Sequence, residues 1–152
     1  MRVWRITRLA YQALDGEGAR LYGGRWNTEG RAVVYTSSTL SLAALELLVH
    51  VEPLLAPSDL VATEVDVPDD GGLGARVTPD VFPAGDWRQY PAPEWQGELG
   101  DMWIEDGTFL WLAVPSAIVP HEYNVLLNPR HPGMADVRVI SKHSFSFDER
   151  LL

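Results

Sequence analysis

The sequence predicts a single α+β domain, and three observations lead to that prediction. The chain has 152 residues, of which 46% are hydrophobic and 22% charged, which suits one globular domain with its own core. Helical and strand patterns are interspersed, with one strong helix and five or six strands. No internal repeat or low-complexity segment divides the chain, so we expect one domain over residues 1–152.

The first third of the chain contains two predicted strands separated by a loop. Residues 3–6 alternate in polarity and predict a short strand. Residues 15–31 contain five glycines and predict a loop with close backbone approaches. Residues 32–36 are β-branched and aromatic, which is typical of a strand.

The strongest helical pattern spans residues 39–51. Ser37 or Ser38 can cap its N-terminus, and Pro53 stops it. Because this segment is apolar on nearly every side, we expect a mostly buried helix.

The rest of the chain continues the mixture of strands and helices. Residues 68–93 are rich in Pro, Gly and Asp and predict an irregular excursion without a period. Residues 94–105 can form a short helix, with Trp95, Leu99 and Trp103 four residues apart. Strands are expected over residues 60–67, 109–114, 124–127 and 137–147.

The net charge of −9 is unevenly distributed. Residues 1–31 hold six arginines and three acids, a net charge of +3, whereas the other 121 residues carry −12. Arginine binds phosphate or carboxylate with two parallel hydrogen bonds, so the first segment can bind a small anion. Alternatively, these arginines are surface charges paired with acids.

Composition excludes several classes of protein. The absence of cysteine excludes a disulfide scaffold, a thiol nucleophile and thiolate-bound metal, and the four histidines lack metal-ligand spacing. No apolar run reaches the roughly 18 residues that span a bilayer, and no signal-peptide core follows Met1, so we expect a cytoplasmic protein. The acidic balance argues against direct nucleic-acid binding.

Glu46 is the only acid in the apolar helix, and its neighbours three and four residues away are mainly apolar. A buried carboxylate is costly unless it is paired or hydrogen-bonded. It is therefore either a structural ion-pair partner, part of a narrow exposed stripe, or a carboxylate held in a pocket to stabilise positive charge or bind a hydroxyl.

Three further groups are candidates for a site. The segment Gly23-Gly24-Arg25-Trp26-Asn27 can present Arg25 to a cleft, with Trp26 as a stacking or packing surface and Asn27 as a polar anchor. Tyr35 ends the strand that leads to the Glu46 helix, so it can share a sheet edge with Glu46 or pack in the core. Ser116 follows a strand, but no nucleophile elbow surrounds it, which argues against a Ser–His hydrolase.

Taken in their order along the chain, these motifs resemble the RES-domain family, which is named for an Arg, a Glu and a Ser. The corresponding residues here are Arg25, Glu46 and Ser116. The resemblance covers about residues 2–147. It is carried by Arg5, Gly24-Arg25-Trp26-Asn27, Val34-Tyr35-Thr36, Leu42-Ala43-Ala44-Leu45-Glu46, Val114-Pro115-Ser116-Ala117, Asn124, Asn128-Pro129 and His131-Pro132.

The resemblance implies a fold similar to ADP-ribosyltransferase toxins, with a cleft between small β-sheets. It implies the toxin of a bacterial type II toxin–antitoxin pair that consumes NAD+ by hydrolysis or phosphorolysis, or transfers ADP-ribose to a protein. NAD+ would be a substrate, and no cofactor or metal is expected. The expected partner is an Xre-type helix-turn-helix antitoxin that blocks the cleft, in a homo-oligomer or a toxin–antitoxin hetero-oligomer.

Residue types at the matching positions suit cleavage of the N-glycosidic bond of NAD+. Under this resemblance Arg25, Glu46 and Tyr35 are catalytic: Arg25 binds the pyrophosphate, Glu46 faces the oxocarbenium ion and Tyr35 stacks on nicotinamide or ribose. The expected substrate-binding residues are Arg5, Trp26, Ser116 and Asn124.

The sequence leaves three alternatives open. The six tryptophans could line a carbohydrate or peptide groove of a non-enzymatic binding module. A ribonuclease-type toxin is disfavoured by the negative charge and by the lack of a His/Lys cluster. An inactive relative with the same fold would not consume NAD+.

Overall fold

A computed structural model describes all residues, 1–152. Seven strands form one mixed sheet in the order β4-β5-β6-β2-β1-β3-β7, in which only β4 and β5 run parallel. This confirms the expected single α+β domain with a mixed sheet. The strands are β1 Arg2–Arg8, β2 Val34–Ser37, β3 Leu60–Asp66, β4 Gly74–Arg76, β5 Trp111–Pro115, β6 Tyr123–Leu127 and β7 Arg138–Phe145.

The sheet is almost divided at its centre. Strands β1 and β2 pair only at Trp4 and Ser37, whereas β1 pairs with β3 along its whole length and β2 likewise with β6. The two sides, β4-β5-β6-β2 and β1-β3-β7, therefore separate on either side of that one pair. Side chains from both sides of the sheet can face a ligand in the opening between them.

Three α-helices accompany the sheet: α1 Glu17–Tyr22, α2 Leu40–Leu48 and α3 Glu94–Asp106. The prediction of a loop throughout residues 15–31 is wrong, because α1 lies inside that segment. Gly16 and Gly23 flank α1 at positive φ, 69° and 71°, so these glycines bound a short helix.

Helix α2 differs from its prediction in its cap, its length and its burial. Thr39, not Ser37 or Ser38, is the N-cap: its Oγ1 accepts the Leu42 N–H at 3.1 Å. Only Leu42 and Ala43 are buried, because one side of α2 packs on the sheet and the other is exposed.

The segment 68–93 also contains more structure than its composition predicts. Strand β4 lies within it and pairs with β5, an arrangement that short, glycine-containing sequences do not reveal. Gly74 is required at its start because the ring of Trp111 lies against its backbone; a Cβ there would fall 2.0 Å from that ring.

Helix α3 covers one face of the sheet, and its predicted boundaries and apolar spacing are confirmed. Trp103 is buried in a cluster with Trp26, Leu112 and Leu126, and Trp95 and Leu99 pack against that cluster. On the neighbouring strand positions, Val125 and Leu127 face the opposite side of the sheet and fill a second cluster with Val3 and Val65. No helix has the length and apolar character needed to cross a membrane.

Close contact between α3 and the segment before β2 depends on Gly100. A Cβ at Gly100 would lie 1.7 Å from the carbonyl oxygen of Trp26. We expect Gly100→Ala to lower the free energy of unfolding by about 3 kcal/mol or more, because the backbone of Trp26 must move to make room for the added Cβ. Chemical denaturation measures this difference. Gly18→Ala is the matched control: it lies in α1 with nothing within 4 Å, so it should be neutral or stabilising. Equal stability of the Gly100→Ala and wild-type proteins would contradict this packing.

Candidate active site

A cavity of about 290 Å³ opens at the division of the sheet, between β1, β2, β6 and α2. Four of the seven predicted site residues line it: Arg5, Tyr35, Glu46 and Asn124. Trp4 and Ser37, the pair that joins the two sides of the sheet, also line it. The fold thus brings together residues that are up to 120 positions apart in the sequence.

Glu46 is held by hydrogen bonds to only one of its two carboxylate oxygens. Its Oε1 accepts from Ser116 Oγ at 2.7 Å and from Asn124 Nδ2 at 2.5 Å. Oε2 accepts no hydrogen bond from the protein, and Glu46 makes no ion pair. The carboxylate is therefore fixed in direction with one oxygen available to a ligand, and the ion-pair alternative is wrong.

Ser116 supports Glu46 from inside the protein. Its side chain is fully buried, and its Oγ accepts the backbone N–H groups of Ile118 and Val119 at 3.1 and 3.0 Å while donating to Glu46. No histidine hydrogen-bonds to it. Ser116 thus sits next to the site as a support of the carboxylate, and the argument against a Ser–His nucleophile holds.

Asn124 connects Glu46 to the sheet. Its Nδ2 donates to Glu46, and its Oδ1 accepts from Ser37 Oγ at 2.7 Å. Ser37 did not figure among the candidates from the sequence, which assigned it only a possible cap. The signal that could have identified it is its spacing of two from Tyr35 on β2, which places both on one face of the sheet.

Arg5 is the cation that lines the cavity. Its Nη1 donates to the carbonyl of Ala13 at 2.8 Å, and its remaining N–H groups make no hydrogen bond with the protein. Burial lowers the pKa of Arg5, and the charge of Asp15 partly opposes that shift. An arginine guanidinium is effectively always protonated in a protein, so Arg5 carries a positive charge. It can therefore receive an anionic group with two parallel hydrogen bonds.

Arg25 is held at the edge of the site by neutral acceptors. Its Nη1 donates to the carbonyl of Trp87 at 3.1 Å and to Gln96 Oε1 at 3.0 Å, and its Nη2 donates to the carbonyl of Gln89 at 3.1 Å. Burial lowers its pKa, and the nearby charge of Glu46 acts in the opposite direction. Arg25 carries a positive charge that no carboxylate contacts.

Gln96 was missed by the sequence analysis and is a part of this arrangement. It is fully buried on α3, accepts from Arg25 and donates its Nε2 to the carbonyl of Trp87 at 2.8 Å. Arg25 and Gln96 are 71 positions apart, so no local pattern links them. A glutamine here fixes the guanidinium without neutralising it.

Tyr35 joins the cavity wall to the segment that carries Arg25. Its hydroxyl accepts the Trp26 N–H at 3.0 Å and donates to Asn27 Oδ1 at 2.7 Å. Gly24 is needed beside it, since a Cβ there would lie 2.7 Å from the Tyr35 oxygen. With both hydrogen-bonding roles used, the hydroxyl is structural, and only the ring is left to contact a ligand.

Trp26 lies outside the cavity. Its side chain is 2% exposed and packs against Phe82 and Trp95, with ring centroids 6.0 and 6.2 Å away. Of the two roles considered for it, packing is therefore the one that this geometry offers. Asn27 is the polar anchor expected: its Nδ2 donates to the carbonyls of Ala19 and Arg31.

Neither the tryptophans nor a second cavity offers an alternative centre. Trp26, Trp95 and Trp87 form a cluster around Phe82 and so do not line a common groove. A larger open cavity of about 500 Å³ lies beside Arg31, Glu105 and Arg130, but none of the predicted site residues lines it. The predicted carboxylate, cation and aromatic ring, which are those of Glu46, Arg5 and Tyr35, lie together in the smaller cavity at the division of the sheet.

The fold and site together define a class: a single α+β domain whose nearly divided sheet holds a carboxylate and an arginine in one pocket. The RES domain family model matches residues 2–148. A Toxin Res of Yersinia enterocolitica is 38% identical, covering 99% of both chains. The Prs ADP-ribosylating toxin of Sphingobium sp. is also 38% identical, covering 98% of this chain and 95% of its own. The chain belongs to the RES-domain family.

A solved structure supports the same fold. The toxin–antitoxin complex MbcT–MbcA of M. tuberculosis contains a chain that superposes with a TM-score of 0.76 at 19% identity, covering 95% of this chain and 84% of that one. At that identity the likeness concerns the fold. It agrees with the expectation of a single α+β domain.

Burial of the Tyr35 hydroxyl has a consequence for stability at high pH. Desolvation raises the pKa of Tyr35, an effect that the Trp26 N–H only partly offsets. Above pH 10, where an ordinary tyrosine ionises, the unfolded chain loses this proton while the folded chain keeps it, so stability falls as pH rises. We expect a contribution of up to about 1.4 kcal/mol per pH unit, which Tyr35→Phe abolishes.

The measurement is urea unfolding between pH 9 and about pH 11. Tyr22→Phe is the control, because Tyr22 is 81% exposed, and it should retain the wild-type slope. At neutral pH Tyr35→Phe should cost about 1–3 kcal/mol, because Asn27 Oδ1 and the Trp26 N–H lose their partner. An unchanged alkaline slope in Tyr35→Phe would show that the hydroxyl is not buried as described.

Proposed function

We propose that this protein is the toxin of a toxin–antitoxin pair and that it cleaves the N-glycosidic bond of NAD+, releasing nicotinamide. The observation that carries the proposal is the Glu46 carboxylate, which lines a cavity with Arg5 and Tyr35 and has Oε1 fixed by Ser116 and Asn124 while Oε2 has no protein partner. Arg5 can bind the pyrophosphate of NAD+, Glu46 can stabilise the positive charge of the transition state, and the Tyr35 ring can stack on nicotinamide.

Glu46 suits the charge that develops during the reaction. Breaking the glycosidic bond gives the ribose carbon oxocarbenium character, and nicotinamide leaves as a neutral base that needs no general acid. A fixed carboxylate stabilises that positive charge, and its free Oε2 can accept a ribose hydroxyl. Since only one carboxylate lines the cavity, the two-carboxylate mechanism of glycoside hydrolases does not apply.

The two arginines suit the pyrophosphate in different ways. Arg5 lines the cavity and has most of its donors free, so it is the better direct ligand. Arg25 uses three N–H groups on neutral acceptors, which leaves its charge and its remaining donors for the same group. The Tyr35 ring remains as a stacking surface for nicotinamide or ribose.

Support for the toxin assignment and for an antitoxin partner comes from the family. Relatives at 37–38% identity are named Toxin Res, and the matching solved structure is a toxin–antitoxin complex. The Xre type of the antitoxin, its blocking of the cleft and a cytoplasmic location stay predictions.

A second reaction has a specific observation in its favour. One relative that is 38% identical is named a Prs ADP-ribosylating toxin. Transfer to a protein side chain would use the same bond cleavage with a different acceptor. Product analysis separates the possibilities: ADP-ribose indicates water as acceptor, ADP-ribose 1″-phosphate indicates phosphate, and label from NAD+ on a protein indicates ADP-ribosyl transfer.

Glu46→Gln tests the role of the carboxylate. The amide oxygen can still accept from Ser116 and Asn124 while the negative charge is lost, so we expect the fold to persist and nicotinamide release to fall at least about 100-fold. Glu52→Gln, at an exposed position, is the control and should retain wild-type release. Undiminished release by folded Glu46→Gln would refute the assigned role.

Gln96→Glu tests whether the free charge of Arg25 serves the substrate. The introduced carboxylate would pair with the Arg25 guanidinium and neutralise it, so we expect the KM for NAD+ to rise about fivefold or more. Gln89→Glu adds the same charge at a residue that binds Arg25 only through its carbonyl, and it should have a smaller effect. Steady-state kinetics of both variants decide the point; equal KM values for Gln96→Glu and wild type would contradict it.

A further inference from the structure

We propose that Ser37 is a positioning residue for the site: its hydroxyl fixes the Asn124 amide so that Nδ2 holds Glu46 Oε1 and leaves Oε2 facing the substrate. This proposal rests on the proposed function for its kinetic consequence. Its structural part concerns one hydrogen bond and can be measured without any reaction.

Ser37 and Asn124 face each other across two paired strands. Ser37 is the last residue of β2 and pairs with Asn124 of β6, while on its other side it makes the single pairing with Trp4 of β1. The backbone at this position is therefore fixed from both neighbours. That fixes where the Ser37 hydroxyl lies relative to the Asn124 side chain.

The direction of the hydrogen bonds selects one orientation of the Asn124 amide. Glu46 Oε1 can only accept, so the group facing it must be the NH2 of Asn124, at 2.5 Å. Asn124 Oδ1 then faces Ser37 Oγ, which donates to it at 2.7 Å. Rotating the amide by 180° would place two acceptors against each other at Glu46, and the Ser37 hydroxyl is the donor that secures the other end.

No other protein group can take over this bond. Ser37 is 4% exposed and Asn124 is half-buried, and without the Ser37 hydroxyl Asn124 Oδ1 would lose its only protein donor. Ser38, the next residue, is exposed and its side chain makes no hydrogen bond. The adjacent serines therefore provide a test position and a matched control.

Loss of the Ser37 hydroxyl should loosen Glu46 while leaving the side chains of Glu46, Arg5 and Tyr35 in place. Ser116 still donates to Oε1, so the carboxylate stays in place but loses one of its two fixed directions. A catalytic carboxylate that is less well oriented stabilises the transition state less while binding of the ground state is little changed. The effect should therefore appear in kcat rather than in KM.

Kinetics on a set of Ser37 variants provide the first test. We expect Ser37→Ala to lower kcat for nicotinamide release about three- to thirtyfold with KM within about twofold of wild type. Ser37→Thr keeps a hydroxyl and should recover most of the rate, whereas Ser37→Val, which has the shape of threonine without its hydroxyl, should not. Ser38→Ala should match wild type. Thermal unfolding of each variant checks that it is folded.

The second test measures the hydrogen bond itself by NMR of side-chain amides. The Asn124 NH2 pair is assigned as the pair missing in Asn124→Asp. We expect Ser37→Ala and Ser37→Val to shift this pair and speed its exchange with water, and Ser37→Thr to restore both; Glu46→Gln should also shift it.

The outcomes separate the two proposals. If wild-type protein releases no nicotinamide, the proposed function fails, while a shifted Asn124 pair in Ser37→Ala still supports positioning. Wild-type kcat in folded Ser37→Ala, or an unchanged Asn124 pair, overturns the role of Ser37. A loss of rate in Ser37→Thr equal to that in Ser37→Val overturns it as well, because the hydroxyl would then not matter.

Discussion

The site depends on the fixing of one carboxylate oxygen at a place where the sheet is almost divided. Glu46 comes from a helix, whereas its donors Ser116 and Asn124 come from the exit of β5 and the beginning of β6. Ser116 is fully buried and Asn124 is half-buried, which strengthens both bonds, and the opposite oxygen, Oε2, accepts no hydrogen bond from the protein. A change in the angle between α2 and the sheet would break both bonds together, so the position of the helix and the orientation of the carboxylate are set by the same contacts.

The division of the sheet also explains why positive charge lies opposite that carboxylate. Arg5 comes from the β1 side, and Arg25 comes from the segment between α1 and β2, which α3 holds in place. Gln96 and the backbone carbonyls around Trp87 hold Arg25 with neutral acceptors. Because a carboxylate in their place would cancel its charge, these neutral partners preserve a site for an anion. The Tyr35 hydroxyl ties this segment to the cavity wall.

Local patterns sufficed where a structural role is local. The predicted helix over residues 94–105 is confirmed because its apolar spacing matches the face that it buries. The strand predicted at 60–67 is confirmed as well, although β3 is buried on both faces rather than on one. Helix α1 and strand β4 were missed, since glycines that bound a short helix or allow close packing of an aromatic ring also characterise loops. Thr39 was missed as the cap because the register of β2 takes Ser37 into the sheet, and only pairing across the sheet decides that register.

The sequence by itself determined the residue types of the site and their order: a lone acid in an apolar helix, an arginine after two glycines and a serine at a strand exit, together with the family that these define. Tertiary structure alone decided what each does. It buried the Trp26 ring, which the sequence had offered as a ligand surface, and turned Ser116 towards Glu46. It also recruited Gln96. The physical reason is that hydrogen-bond partners 70 or more positions apart are chosen by strand register and helix packing, which no local pattern encodes.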